Sequence, residues 1–282
     1  MLAERSVLRR PRNLAIALVV LALLAGGLWW GLVRPGSCGS GPASAPARAN
    51  PTGPNPSSGE PVDLEGWKLT LPEAGEKGHA ASVSPASSSA PWLTREDSGG
   101  LTFWAPVCGA TTPNSEHPRT ELVSLNNFKA GTSGQHTLTA SVAVSQAPAG
   151  NQDVIIGQIH GADDISSVPF VMLHYTAGQV RVVVKEKQSG STSDKYTLLT
   201  NVPLRAWFDY AISDNGDGTV TFSATSGTTG RFTIPIPEPF RGATVRFQAG
   251  SYQQGDPSED TAPAPNGALV TFARLRENID SP

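Results

Sequence analysis

Short stretches of alternating hydrophobic and polar residues follow one another from residue 67 onward, separated by clusters of Gly, Asn, Asp, Ser and Pro. A period of two predicts β-strands, and no amphipathic helical pattern of ordinary length accompanies it. The clearest stretches are LTFWAPV, RTELVSL, HTLTASVAVS, DVIIGQIHG, PFVMLHYT, QVRVVVKEK, WFDYAIS, TVTFSAT, RFTIPI, ATVRFQAGSYQQ and ALVTFARLRE. So many short strands without helical spacers predict an all-β protein, folded as an antiparallel β-sandwich or jelly roll.

The first 34 residues follow a different pattern. Four arginines within the first twelve residues precede a charge-free apolar run at 14–33, which is long enough to cross a bilayer as a helix. This predicts a signal peptide or membrane anchor over 1–34, with the rest of the chain outside the cell. Because APARA at 45–49 is a small-residue cleavage pattern, both a cleaved signal and a retained anchor remain open.

Composition divides the remainder into two parts. Residues 35–62 are rich in Pro, Gly and Ser and predict a flexible linker, whereas 63–282 contain the strand patterns and predict one folded domain. Two loops, 78–91 and 255–267, are predicted to lie at the surface. The two cysteines, Cys38 and Cys108, do not encode a disulfide framework, and the sequence leaves their state open.

The charge of the predicted domain excludes one broad class of partner. The chain has 21 basic and 24 acidic residues, and the first 49 residues contain six Arg and one Glu, which leaves 15 basic and 23 acidic residues with a formal net charge of −8. A nucleic-acid binder is expected to have a basic domain. A polyanionic ligand would therefore need a locally basic groove.

Candidate chemistry begins with the stretch DVIIGQIHG, where two polar side chains interrupt an apolar strand. Because side chains alternate along a strand, Gln158 and His160 are predicted to share one face, and Ile155 and Ile159 the opposite, core-facing one. A solvated sheet face is the simpler explanation of any single polar residue. A concave face lined with such groups would instead form a groove for a polar chain.

The same alternation selects polar residues on three further strands. The residues are Arg119 and Glu121 in RTELVSL, Arg246, Gln248, Tyr252 and Gln254 in TVRFQAGSYQQ, and Lys185 in QVRVVVKEK. These groups, together with the pair in DVIIGQIHG, are the candidate site residues. No metal site is predicted, since DNGDGT at 214–219 lacks the ligand spacing of a calcium loop and is typical of a hairpin turn.

Three of these segments, HPRTEL, GQIHG and FQAGSYQQ, resemble the signature regions of the alginate lyases of polysaccharide lyase family 7, and they occur in the same order. The stretches WKLTLP and LTFWAPVCGATTPNSEHPRTEL are also similar to this family. The likeness covers nearly all of residues 66–276. It implies a jelly roll whose concave sheet binds alginate, an acidic polysaccharide of mannuronate and guluronate, and cleaves it by β-elimination.

The resemblance also implies roles for six of the candidate residues. Arg119 and Gln158 would neutralise the uronate carboxylate, His160 and Tyr252 would transfer protons, and Glu121 and Gln254 would orient neighbours or contact sugar. Lys185, Arg246 and Gln248 are expected to bind substrate because of their positions on the polar strand faces. The Ile between Gln158 and His160 favours guluronate or mixed blocks, and the reaction needs no cofactor. A monomer is expected, with membrane contact only through the N-terminal segment.

The sequence departs from the family pattern at three positions in the predicted groove. A basic residue is usual at the position of Val123, a Lys at Gln248 and an aromatic residue at Arg246. We expect Arg246 to replace part of the missing charge. These departures concern the preferred uronate rather than the reaction.

Two other functions are compatible with a jelly-roll domain that has a polar groove. A glycoside hydrolase requires two carboxylic acids that flank the scissile bond, and the Glu-x-Asp-x-x-Glu strand motif of jelly-roll hydrolases is absent from the sequence. A non-catalytic, lectin-like module for acidic polysaccharide would keep the groove without turnover. The sequence alone leaves open endo or exo action and whether another polyuronate is the natural substrate.

Overall fold

The computed structural model describes residues 46, 50–56, 60–84, 86–132, 134–257 and 265–280, which belong to one compact unit within 40–282. The predicted N-terminal segment and most of the predicted linker lie outside these residues. In the part of the chain that is described, no helix is long and apolar enough to cross a membrane.

Sixteen β-strands make up most of the described residues. The first eight are β1 (Trp67–Ala74), β2 (Ala80–Val83), β3 (Leu93–Arg95), β4 (Leu101–Pro106), β5 (Arg119–Ser124), β6 (Phe128–Lys129), β7 (His136–Gln146) and β8 (Asp153–Gly161). The others are β9 (Pro169–Thr176), β10 (Gln179–Lys185), β11 (Ser193–Leu199), β12 (Trp207–Asp214), β13 (Thr219–Ser226), β14 (Thr228–Pro235), β15 (Thr244–Gln253) and β16 (Gly267–Ile279).

The strands form two antiparallel sheets. The inner sheet has nine strands in the order β11-β10-β9-β8-β15-β5-β1-β2, with β6 also paired to β15. The outer sheet has seven strands in the order β14-β13-β12-β7-β16-β4-β3. Helical structure in the described ranges is limited to three short 3-10 turns, at 76–78, 163–165 and 238–240. The predicted all-β sandwich is therefore confirmed.

The hydrophobic core lies between the two sheets and follows the alternation in the sequence. Leu122 of β5 and Phe247 of β15 point from the inner sheet into one cluster with Phe103 of β4 and Phe272 of β16 from the outer sheet. All four side chains are fully buried. Because these apolar residues alternate with polar ones, the polar members of β5 and β15 must lie on the opposite face of the inner sheet.

A β-bulge in β8 makes one prediction wrong. Ile155 was expected to share the core face with Ile159, but the pairing register of β8 shifts between Ile155 and Gly157 relative to β9. The extra residue of a bulge reverses the alternation of side chains beyond it. Ile156 is therefore the core residue, and Ile155 lies on the same face as Gln158.

Two predicted surface segments have different outcomes. Residues 78–91 were expected to form a loop, but Ala80–Val83 form strand β2, which pairs with β1 at the edge of the inner sheet. The hairpin predicted at 214–219 is confirmed, because β12 and β13 pair directly across it. Cys108 is disulfide-bonded, whereas Cys38 lies outside the described residues.

Candidate functional site

A polar cleft of about 430 Å³ opens on the face of the inner sheet that points away from the core. One row of paired residues crosses its floor from strand to strand. The row runs through Lys68 of β1, Val123 of β5, Gln248 of β15, Gln158 of β8 and Met172 of β9. The adjacent rows bring further candidate residues into the same cleft.

The structure brings together eight of the nine predicted site residues. Lining the cleft are Arg119, Glu121, Gln158, His160, Arg246, Gln248, Tyr252 and Gln254. Lys185 is the exception and does not line the cleft. Its Nζ donates a hydrogen bond to the carbonyl of Gly190 in the turn that follows β10. Its assignment to substrate binding stays a prediction.

Arg119 connects two of the candidate residues. Arg119 and Tyr252 are paired across β5 and β15, and the guanidinium carbon of Arg119 lies 3.4 Å from the centroid of the Tyr252 ring. Nη1 of Arg119 also donates a hydrogen bond to Oε2 of Glu121 at 3.1 Å. These contacts hold a buried cation beside the tyrosine.

Glu121 is fully buried and anchors a short hydrogen-bonded chain. The side-chain amide of Gln158 donates to Oε1 of Glu121 at 2.6 Å and to Oε1 of Gln248 at 3.2 Å. Burial raises the pKa of Glu121, and the positive charge of Arg119 and the amide of Gln158 oppose that rise. Both amide hydrogens of Gln158 therefore have protein acceptors, and the bond to Gln248 is the longer one.

His160 is neutral at physiological pH. Its pKa is lowered from 6.5 to about 4, chiefly by burial and to a smaller extent by repulsion from Arg119 and Arg246, while the hydrogen bond to the Gly161 carbonyl acts in the opposite direction. Its Nδ1 lies 3.1 Å from that carbonyl oxygen, which can only accept. Nδ1 therefore carries the proton of the neutral ring, and Nε2 keeps the lone pair that can accept a proton.

The hydroxyl of Tyr252 has a partner that sequence reasoning missed. Ser115, in the segment between β4 and β5, lies 2.9 Å from it through Oγ. The same Oγ donates to the carbonyl of His117 at 3.0 Å. Because a serine hydroxyl has one hydrogen, Tyr252 is the donor to Ser115. The sequence places Ser115 four residues before Arg119 but gives no sign of this contact.

Lys68 is a second residue of the cleft that the sequence analysis did not select. It lies at the end of the floor row, beside Val123, and lines the cleft. Burial, followed by repulsion from Arg246, lowers the pKa of Lys68. Alternation in WKLTLP could have identified this residue, since Lys68 and Thr70 share the face opposite Trp67, Leu69 and Leu71.

Two glycines allow the strands and rings around the cleft to approach closely. A Cβ at Gly250 would lie 2.5 Å from the carbonyl oxygen of Thr120 and 2.8 Å from the Cα of Glu121. A Cβ at Gly157 would lie 2.8 Å from the hydroxyl oxygen of Tyr210, which supports β8 from the core side. Larger residues at either position would push Glu121 or Gln158 out of place.

The fold and the cleft define an all-β sandwich protein with a cationic cleft on its inner sheet. A family model described as alginate lyase matches residues 62–278, and the chain belongs to that family. A curated alginate lyase from Klebsiella pneumoniae is 30% identical over 147 residues, which cover 39% of this chain and 48% of that relative. The match thus spans about half the length of the curated relative.

Solved structures show the same architecture. An alginate lyase from Pseudomonas aeruginosa superposes with a TM-score of 0.67 at 28% identity, covering 77% of this chain and 100% of that one. Alginate lyase A1-II′, a member of polysaccharide lyase family 7, has a TM-score of 0.66 at 23% identity, covering 80% of this chain and 100% of that one. The resemblance to alginate lyases found in the sequence motifs is thereby confirmed.

Proposed function

We propose that the protein cleaves alginate by β-elimination and prefers guluronate-containing or mixed blocks. The observation that carries the proposal is the convergence of Tyr252, a neutral His160 and the cation Arg119 on one open cleft. The substrate class is supported by family membership and by A1-II′, which has been crystallised with a substrate, GGMG. We also propose that the enzyme acts outside the cell, either secreted or anchored by its N-terminal segment.

In the proposed reaction, a base removes the proton from C5 of the uronate. The electron pair of that C–H bond becomes the C4=C5 double bond, and the bond from C4 to the glycosidic oxygen breaks. The leaving oxygen takes a proton from Tyr252. The products are a chain end with an unsaturated uronate and a new reducing end, so atoms and charge balance without a cofactor.

The difficult step is the removal of a proton next to an ionised carboxylate. Arg119 and Gln158 reduce that difficulty by neutralising the carboxylate and by stabilising the enolate-like charge that develops in the transition state. In the cleft, Gln158 has one strong bond to Glu121 and a longer, uncharged one to Gln248. The substrate carboxylate therefore replaces the bond to Gln248, because a charged acceptor forms the stronger hydrogen bond.

The base depends on the configuration at C5 of the sugar that is attacked. His160 serves as the base when the C5 proton points toward its ring. It can accept that proton at neutral pH because the Nε2 atom of its neutral imidazole keeps a lone pair. Tyr252 serves as both base and acid when the proton lies on its own side. The preference for guluronate rests on the resemblance of the Gln-Ile-His segment to family members that accept guluronate.

The first test measures the ultraviolet absorbance of unsaturated uronate, using the full-length protein on separate polyguluronate, polymannuronate and glucuronan. A rising signal that is lost in Tyr252→Phe supports elimination and ranks the polymers. New reducing ends without unsaturation would replace the proposal with hydrolysis. Retained polymer binding without any product would favour the lectin-like module.

A further inference from the structure

Two cations border the same part of the cleft, one at each end of a short diagonal across the sheet. Lys68 pairs with Val123, and Val123 pairs with Gln248 on the next strand. Arg246 lies two residues before Gln248 on β15, so its side chain is on the same face. Both cations line the cleft, and the apolar side chain of Val123 lines it near them.

Neither cation is neutralised by a neighbour. Among the described residues, Lys68 and Arg246 have no hydrogen-bond or ion-pair partner, and Nε of Arg246 is buried without an acceptor. Arg119, the third cation of the lining, has Glu121 at 3.1 Å. Buried donors in proteins nearly always have partners, so an unpaired one at a cleft indicates an acceptor that arrives from outside.

The charges around the two cations also fit an incoming anion. Burial and, to a smaller extent, repulsion from Arg246 lower the pKa of Lys68, so the two cations repel each other across the cleft. Burial lowers the pKa of Arg246, and the negative charges of Asp163 and Glu121 oppose this lowering without contacting the guanidinium. A bound carboxylate between the cations would remove the repulsion and satisfy the Arg246 donor.

We propose that Lys68 and Arg246 form a second carboxylate subsite, which binds the uronate next to the sugar held by Arg119 and Gln158. The substrate class rests on the proposed function. A polyuronate carries one carboxylate on every sugar, so adjacent sugars present two carboxylates to two cationic positions in one cleft.

This subsite contacts a sugar whose bonds do not change during the reaction. Its interactions are equally strong in the ground state and in the transition state, so they lower KM without raising kcat. Lys68 is the cleaner position to test, because Arg246 also influences the pKa of His160. A change at Arg246 would alter both binding and proton transfer.

The experiment compares the full-length parent with Lys68→Met, Lys68→Arg and Arg231→Met. Arg231, an exposed residue on β14 of the outer sheet, is the control, because its substitution removes the same charge far from the cleft. The kcat and KM are measured on polyguluronate and polymannuronate. Binding of saturated guluronate and mannuronate trisaccharides is measured by calorimetry in the Tyr252→Phe background at two salt concentrations. Thermal unfolding verifies that each variant is folded.

We expect Lys68→Met to raise KM and the trisaccharide Kd by about tenfold, the loss that one charge-assisted hydrogen bond produces, with kcat within about twofold of the parent. The salt dependence of Kd should become weaker, because one ionic contact is lost. Lys68→Arg should retain binding, and Arg231→Met should match the parent.

Two outcomes overturn the subsite. One is an unchanged trisaccharide Kd in folded Lys68→Met, and the other is an equal loss of binding in Arg231→Met. Either result can coexist with elimination by the parent, in which case the proposed function stands alone. If the parent releases no unsaturated product but Lys68→Met still weakens trisaccharide binding, the subsite stands and the proposed elimination fails.

Discussion

Two polar clusters lie on the same face of the inner sheet, and they differ in how completely their charges are paired. In the first, Asp153 accepts hydrogen bonds from His174 at 2.8 Å, Thr176 at 2.9 Å and Arg181 at 3.0 Å. Burial alone would raise the pKa of Asp153, but these contacts, led by His174, hold it below its ordinary value. We call this the Asp153 cluster.

The second is the cleft cluster, formed by the eight predicted residues that line the cleft together with Lys68. Its Glu121 carboxylate is already bound by Arg119 and Gln158, while two other cations have no partner among the described residues. Both clusters would satisfy a search for polar residues at alternating positions. The comparison teaches that unpaired charge beside open volume, rather than polarity alone, marks the part of the sheet face where a ligand is expected.

The largest expected effect is a loss of turnover when the cleft cluster is changed at Tyr252. Tyr252→Phe removes the hydroxyl that transfers the proton, and we expect kcat to fall by about a thousandfold with the fold intact. Tyr175→Phe is the matched control, because the Tyr175 hydroxyl binds the Val202 carbonyl away from the cleft and its loss should leave kcat unchanged. Ultraviolet assays of product formation check both. A Tyr252→Phe enzyme that kept a tenth of its kcat would remove this residue from the mechanism.

The second effect concerns stability. Asp153→Asn leaves the charge of Arg181 without its anion and weakens the hydrogen bonds from His174 and Thr176, and we expect a loss of about 2 kcal/mol of unfolding free energy at neutral pH. The kcat/KM of the folded variant should remain within about twofold of the parent. Urea unfolding measures the first quantity and the product assay the second. A large loss of kcat/KM at unchanged stability would make the Asp153 cluster part of the site.

The sign of the pH dependence sharpens this prediction. Because the pKa of Asp153 is lower in the folded state than in the unfolded state, its stabilising contribution is present above the unfolded value of about 4. It is lost as the pH falls through the folded value. The stability difference between parent and Asp153→Asn should therefore shrink below about pH 4. A difference that stays constant to low pH would contradict the ionic origin.

A third prediction examines how the cleft cluster is held in place. Ser115→Ala removes the acceptor of the Tyr252 hydroxyl, and we expect kcat to fall by about tenfold with KM unchanged, as for a positioning residue. Ser115→Thr keeps the hydroxyl and should restore most of kcat. Steady-state kinetics measure kcat and KM of both variants, and thermal unfolding verifies that each variant is folded. A fall in stability alone, with kcat unchanged, would limit Ser115 to a structural role.

The smallest effect lies in the pH profile. With the His160 pKa at about 4, kcat/KM on the polymer that uses His160 as base should change by less than about twofold between pH 7 and pH 5. An ordinary histidine would lose most of its activity over that range, because its pKa is about 6.5. Initial rates in buffers of equal ionic strength provide the measurement, with His79→Gln as an exposed control. An acid limb near pH 6.5 would contradict the burial of His160.

Much of the fold was predictable because its signal is local. The boundaries predicted for DVIIGQIHG and PFVMLHYT coincide with β8 and β9, where strong alternation is flanked by turn residues. The strands β2, β3 and β6 were missed because they have two to four residues, too few to establish a period. Strand β11 was missed because its exposed half is polar.

The site was predictable in part, for a different reason. Alternation and the family motifs identified the residues on β5, β8 and β15, but neither reports which strands are neighbours. Lys68 became relevant only once β1 was paired with β5, and Lys185 lies outside the cleft because β9 separates β10 from β8. The contact of Ser115 with Tyr252 joins residues 137 positions apart, a relation that no local pattern contains.

The bulge in β8 has a consequence for sequence variation in this strand. It places Ile155 on the same side of the sheet as Gln158 and His160, although strict alternation would put an odd-numbered and an even-numbered residue on opposite sides. Removing one residue there would restore strict alternation and turn either Ile155 or the Gln–His pair toward the core. A substitution in β8 leaves this register unchanged, whereas an insertion or deletion shifts it, so mutant libraries directed at the cleft should keep the length of this strand fixed.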